Sequence, residues 1–325
     1  MLEPLEVHVV AVPMRVRFRG IDVREALLLR GSGGWGEFSP FVEYDDVEAA
    51  RWLAAALESA RGDLPAPVRD RVPVNATVPA VAAADVAGVL ARFPGCTTAK
   101  VKVAQVGQAL RDDVDRVAAV RDVLGPAGRV RVDANGAWSV ADALRAVTAL
   151  GAHGLEYVEQ PCAEVEDLAA LRVALARAGV DVLVAADESV RRAEDPLRVA
   201  RLGAAEVVVL KVAPLGGVRR ALAIAEECGL PVVVSSALET SVGIHAGVAL
   251  AAALPDLPFA CGLATTSLLT VDVVLDSLDV RGGPLAVRDR AAPDPELLAR
   301  WAAPPGRQQW WRARLARCAE LLPAD

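Results

Sequence analysis

Thr98-Ala99-Lys100-Val101-Lys102-Val103 is a short apolar run that carries lysine at alternate positions. On a β-strand, side chains two apart leave the same face, so both ammonium groups project to one side. Lysine is scarce in this chain: of 35 lysines and arginines, only Lys100, Lys102 and Lys211 are lysines. Arginine stays charged in a protein, whereas a buried lysine changes its pKa readily and can serve as a base. Two ammonium groups roughly 6.5 Å apart at an effective dielectric near 20 repel by about 2.5 kcal/mol. That is worth roughly two of the three pKa units between an ordinary lysine and neutrality, and desolvation or a nearby metal cation supplies the rest. The pair reads as a device for producing one neutral amine, a general base.

Outward from this strand the pattern repeats. Short β-branched runs recur near 73–78, 98–103, 129–133, 155–159, 182–187, 206–211, 231–235 and 259–262. Alanine-rich helical stretches lie between them, at 108–124, 139–152, 164–178, 190–202 and 216–228. Eight strands alternating with helices predict parallel βα units closed into a (β/α)8-type, TIM-like barrel over residues 73–280. An open doubly wound sheet is the alternative, but no Gly-x-Gly-x-x-Gly follows the first strand to support a dinucleotide site. Before the barrel, residues 1–72 read as a small meander: strands at 5–14 and 24–30, the glycine-rich turn and short strand at 31–40, and a helix capped by Asp45 or Asp46. After it, residues 281–325 hold a short strand at 285–287 and a final amphipathic helix with Trp310 and Trp311. These tail elements lack a barrel partner and are expected to pack on the N-terminal meander as an α+β capping domain.

Composition narrows the function classes. Hydrophobic residues make 54% of the 325-residue chain, mean hydropathy is +0.34 and aromatics are 4%, which fits a large core of alanine, valine and leucine. The net charge of -7 and the lack of a basic, aromatic-interleaved run argue against a nucleic-acid partner. Five widely spaced cysteines without Cys-x-x-Cys predict reduced thiols. No signal-like N-terminus and no long uncharged apolar run imply a cytoplasmic protein with no membrane partner. The oligomeric state stays open.

Four further barrel strands end in charge: Val130-Arg-Val-Asp133-Ala-Asn135-Gly136, Tyr157-Val-Glu159-Gln-Pro161, Ala185-Ala-Asp187-Glu188-Ser189 and Val209-Leu-Lys211. Taken singly, each acid has an ordinary reading, as a turn opener or a helix N-cap. Together they put three carboxylates at the carboxyl ends of consecutive strands, where a parallel barrel builds its active site. At about 4 Å each pair repels by roughly 4 kcal/mol, and three pairs at about 12 kcal/mol rival the stability of a whole domain. Protonation or a bound cation must relieve this. Oxygen ligands without histidine or cysteine suit Mg2+, with Mn2+ a possible substitute. His8, His153 and His245 stand at none of these strand ends and read as structural.

This constellation resembles the enolase superfamily in its muconate-lactonizing-enzyme subgroup. The matching text is Ala99-Lys-Val-Lys102, Arg131-Val-Asp-Ala-Asn-Gly-Ala-Trp138, Tyr157-Val-Glu-Gln-Pro161, Ala186-Asp-Glu-Ser189 and Lys211-Val-Ala-Pro-Leu-Gly-Gly217. The resemblance covers nearly the whole chain and implies a modified (β/α)7β barrel with a capping domain from both chain ends. It also implies that Asp133, Glu159 and Asp187 hold Mg2+, which binds a carboxylate of a small-molecule substrate. By the same resemblance Lys102 removes the proton α to that carboxylate, Lys211 faces the other side of the enediolate, and Lys100 lowers the pKa of Lys102. Such a proton is very weakly acidic, and cationic charge aimed where negative charge develops lowers the barrier.

Within the subgroup, dipeptide epimerases carry Asp-x-Asp after strand eight, where this chain has the uncharged Cys261-Gly262-Leu263. The arginine-bearing loop from Arg15 to Gly20 and the serine-rich Ser235-Ser236-Ala-Leu-Glu239-Thr-Ser241 resemble the o-succinylbenzoate synthase family instead. That resemblance implies a syn β-elimination of water in menaquinone synthesis. It makes Ser235, Ser236, Asn135, Arg19, Gly20 and Gly262 candidates for substrate binding. N-acylamino acid racemases share the constellation and form the alternative. A metal-free aldolase using Lys211 or Lys102 as a Schiff base leaves the three carboxylates unexplained.

Overall fold

The computed structural model describes residues 6–62, 64–191, 195–289 and 291–323. Three antiparallel strands open the chain: β1 (Glu6–Phe18), β2 (Ile21–Arg30) and β3 (Trp35–Phe38). Helix α1 (Asp46–Arg61) follows, with the Asp45 carboxylate accepting from the Glu48 amide at its N-terminus and Gly62 in the left-handed conformation at its end. The apolar face of α1 buries Trp52, Leu53 and Ala56 between this sheet and the rest of the molecule. Then come β4 (Arg71–Val72), β5 (Ala76–Val78) and the short helix α2 (Val86–Leu90).

From β5 onward strand and helix alternate. The order is β6 (Thr98–Lys102), α3 (Leu110–Leu124), β7 (Arg129–Asp133), α4 (Val140–Gly151), β8 (Leu155–Glu159), α5 (Val165–Ala178) and β9 (Leu183–Ala186). Next are α6 (Glu188–Arg191), α7 (Arg198–Arg201), β10 (Val207–Leu210), α8 (Val212–Leu215), α9 (Val218–Cys228), β11 (Val232–Val234) and α10 (Ser241–Ala253). β5 to β11 form one parallel sheet in sequential order. Closure comes through the eighth position, where Gly262 bridges Ser235 and Cys261 bridges Val74, both parallel. The strand expected at 259–262 is therefore reduced to bridge residues. Pro258 before it lacks an N–H, and Gly262 lies so close to its neighbour that an added Cβ would stand 2.5 Å from the Ser235 hydroxyl oxygen.

Two helices differ from the sequence expectation. The helix expected at 190–202 is two short pieces, α6 and α7, with residues 192–194 outside the described set and Pro196 in front of α7. The helix expected at 216–228 starts at Val218, because Gly216 (φ 92°) and Gly217 (φ 134°) break it from α8. The tail also divides. β12 (Leu285–Ala286) pairs with β4 at the start of the barrel rather than with the meander. After α11 (Pro295–Arg300), α12 (Pro305–Glu320) does lie against α1 and β1, with Trp311 fully buried beside Phe38. All five cysteines are free thiols, as their spacing suggested.

Candidate active site

Lys100 and Lys102 leave the same face of β6 and enter the barrel mouth. Asp133 ends β7, Glu159 ends β8, Asp187 directly follows β9 and Lys211 directly follows β10. All six side chains are nearly or wholly shielded from solvent. The Lys100 ammonium donates to Glu159 Oε1 (2.6 Å) and Asp133 Oδ2 (3.1 Å). Lys102 donates to the same Asp133 oxygen (2.5 Å) and to Asn135 Oδ1 (2.6 Å). On the other side Lys211 donates to Asp187 Oδ2 (2.5 Å), while Arg191 Nε reaches Asp187 Oδ1 (2.9 Å). The six residues named from the sequence thus form one buried charge cluster.

Their electrostatics follow from this interleaving. Burial pushes the Lys102 amine down, and the charge of Lys100 adds to that effect against the pull of Asp133. Burial acts the same way on Lys100, but Glu159 and Asp133 outweigh it and hold Lys100 well above the ordinary range. The two lysines are therefore differentiated by their neighbours rather than by their strand. Burial would raise Asp133, yet Lys102 and Lys100 keep it well below the usual carboxylate range. Against the same burial, Lys211 and Arg191 hold Asp187 down. Glu159 goes the other way: burial and the nearby Asp133 push it up to about 7.

The sequence suggested that the acids must be relieved by protons or a cation, and here the ammonium groups stand between them. Among the described residues, no three such ligands already sit in a cage close enough to hold a metal ion. The donor set nevertheless fits one. Glu159 Oε2 is buried without a hydrogen-bond partner. An anionic oxygen left so is costly to bury, and a hard cation among three carboxylates would satisfy it.

A small cavity of about 40 Å3 opens on this cluster. Of the residues singled out for substrate contact, Arg19, Asn135, Ser235, Ser236 and Gly262 line it. Gly20 does not; it borders an adjoining outer cleft that shares Phe18, Arg19, Lys102 and Asn135 with the cavity. Asn135 sits at φ 48°, and its side chain bridges Lys102 and Glu188. The Ser236 hydroxyl donates to the Gly262 carbonyl (2.8 Å), which ties the seventh strand end to the eighth. Sequence reading missed Thr77, Phe41, Leu238, Thr265 and Arg191 in the lining. Thr77 was within reach, since it stands in the first barrel strand, β5 (Ala76–Val78), on the same face as Asn75 two residues before it. Arg191 follows Asp187 by four residues on one helical turn, a spacing that pairs such side chains. Phe41 and Leu238 arrive through tertiary docking that no local pattern encodes. Outside the site, His245 Nε2 donates to the Arg288 carbonyl (2.9 Å), and His8 Nε2 lies 2.9 Å from Glu6 Oε1.

Similarity to known proteins agrees with this architecture. Residues 82–293 match the family model described as enolase C-terminal domain-like, and residues 9–60 match enolase N-terminal domain-like. The o-succinylbenzoate synthase of Mycolicibacterium smegmatis is 60% identical over 97% of this chain and 95% of its own length. That of Thermobifida fusca is 61% identical over 94% and 93%. The chain belongs to the o-succinylbenzoate synthase family of the enolase superfamily. Among solved structures, the muconate lactonizing enzyme of Pseudomonas fluorescens, complexed with muconolactone, superposes with a TM-score of 0.76 at 26% identity, covering 93% of this chain and 99% of that one. Use of a divalent metal is general in this family.

Proposed function

We propose that this enzyme is a hydro-lyase that forms o-succinylbenzoate by syn β-elimination of water, starting with removal of the proton α to a carboxylate. The observation that carries the reading is the 60% identity to an o-succinylbenzoate synthase across nearly the full chain, with every charged position of the barrel mouth filled. Asp133, Glu159 and Asp187 would hold the metal, which we take to be Mg2+. When bound, it supplies positive charge to the substrate carboxylate as that group gains electron density.

The remaining chemistry belongs to the side chains. Burial and Lys100 favour a neutral Lys102 amine, the form able to take the α-proton. The same ammonium then protonates the departing hydroxyl, so one lysine serves as base and acid on one face, as a syn elimination needs. β6 and β10 are four strands apart in an eight-position barrel, which places Lys211 across the mouth from Lys102. From there its charge offsets that of the enediolate. The carboxylates occupy positions three to five of the barrel, so the rest of the substrate extends toward positions seven, eight and one. Ser235, Ser236, Gly262 and Thr77 lie there, and the two serines with nearby backbone N–H groups would receive the succinyl carboxylate. Phe18, Arg19 and Phe41 of the capping domain cover the cavity, and the loop carrying Arg19 would exclude water during turnover.

Dehydration should vanish with EDTA and return with Mg2+. Activity that survives EDTA, together with borohydride trapping of substrate on Lys211 or Lys102, would instead establish a Schiff-base enzyme.

A further inference from the structure

The wall of the cavity at barrel position seven is held from outside the barrel. Arg24, on β2 of the capping sheet, is only 3% exposed. It spends its donors on the loop after β11: Nε donates to the Leu238 carbonyl (3.1 Å) and Nη2 to the Ala237 carbonyl (3.2 Å). Nη2 also meets both the hydroxyl (3.0 Å) and the carbonyl of Ser39, and the guanidinium lies 4.6 Å from the Phe41 ring centre. The amide side of the same loop is held too. Glu239 accepts from the Ala237 N–H (2.6 Å), and Glu37 of β3 accepts from the Thr240 hydroxyl (2.6 Å) and N–H (3.1 Å). Leu238 is thereby kept at φ 66°, a conformation a leucine adopts rarely. Burying a guanidinium is costly, and Arg24 spends it largely on loop carbonyls rather than on a direct carboxylate contact. The return is geometric: a planar fork fixes two consecutive carbonyls in one orientation.

From this geometry we infer that Arg24 is a positioning residue for substrate selection, setting the Ala237–Leu238 turn as the wall against which the substrate's distal arm seats. The inference rests on the function proposed above, in which the reacting carboxylate lies at positions three to five and the distal arm at seven and eight. The Ala237–Leu238 turn carries no side chain that can transfer a proton, so it governs how the substrate is seated and not how its proton moves.

Arg24→Met keeps the volume and removes the fork. KM for the dehydration substrate should rise about tenfold while kcat stays within threefold, and Mg2+ affinity measured by calorimetry should be unchanged. Amide hydrogen exchange at residues 236–240, measured with no substrate present, should quicken about tenfold, with other barrel loops unaffected. Arg24→Lys should show the same changes, smaller, because an ammonium cannot hold both carbonyls; it also carries the test if the methionine variant fails to fold. A KM unchanged in a folded variant, or a loss confined to kcat, overturns the inference. An inactive wild type would overturn the function reading alone, and the wall would then stand or fall on the exchange result: unchanged exchange at 236–240 overturns it.

Discussion

Lys102 and Lys211 share a cavity but should not share a duty. In syn elimination only Lys102 handles protons, whereas racemisation needs an acid–base group on each face. Lys211→Arg keeps the cation and gives up proton transfer. It should retain measurable dehydration, within roughly 10²-fold of wild type, and show no racemisation of an N-succinylamino acid. Lys102→Arg should lose dehydration by at least the roughly 10²–10⁴-fold that general acid–base catalysis contributes. Steady-state kinetics of both variants check this, and wild-type dehydration by Lys102→Arg would remove that lysine from the role of base. A second buried group sets a pH dependence of stability. Burial and Glu239 push the Glu37 carboxyl up to about 7, against hydrogen bonds from Thr240 and the charge of Arg24. Between about 4.5 and 7 the folded chain therefore keeps a proton that the unfolded chain has lost. The stabilising contribution is complete below about 4.5 and fades as pH rises through 7, by roughly 3 kcal/mol at most. Glu37→Gln cannot titrate, so urea unfolding in EDTA should show the wild type losing ground to the variant across that window. A stability difference independent of pH would contradict the assignment.

At the scale of elements, the capping domain serves as the N-cap of two barrel helices. Glu58 of α1 accepts from the Val218 and Arg219 amides at the start of α9. Glu37 does the same for α10 through the Thr240 and Gly243 amides. α9, which starts after Gly217, has no side-chain cap of its own and depends on Glu58. At α10, Glu37 adds to the Thr240 hydroxyl, which accepts from the Val242 amide. Both carboxylates come from more than 150 positions earlier in the chain. Glu58→Ala should destabilise the protein by about 1 kcal/mol, the usual cost of losing such a cap. Chemical denaturation checks it, and because Glu58 lies outside the cavity kcat should hold. The same docking explains which elements could be read in advance. Period and strand-end charge made β6 to β11 and the charged residues at their ends plain, since each is a local pattern repeated. Pro196 and the Gly216-Gly217 pair broke helices that alanine content alone extended. Phe41, Leu238 and Arg24 stayed hidden because their roles exist only once β2 and β3 meet the loop after β11.

Over the whole molecule, charge interleaving decides the design: three lysines among three carboxylates, each neutralising what would otherwise repel. The barrel class was legible from the strand–helix repeat, and the gathering of the six central residues from charges that recur at the ends of consecutive apolar strands, where burying them uncompensated is costly. The parts that were less legible are contacts of long sequence separation, such as β12 joining β4 instead of the meander and Gly20 lying in the outer cleft. The choice of reaction turns on the cavity's far wall, where Cys261-Gly262-Leu263 has no charge to hold a substrate amine. The most direct test compares two activities of the Mg2+-loaded protein: dehydration of the cyclohexadiene carboxylate precursor of o-succinylbenzoate, and racemisation of an N-succinylamino acid. kcat/KM for dehydration should stand well above that for racemisation. Racemisation without dehydration would contradict it.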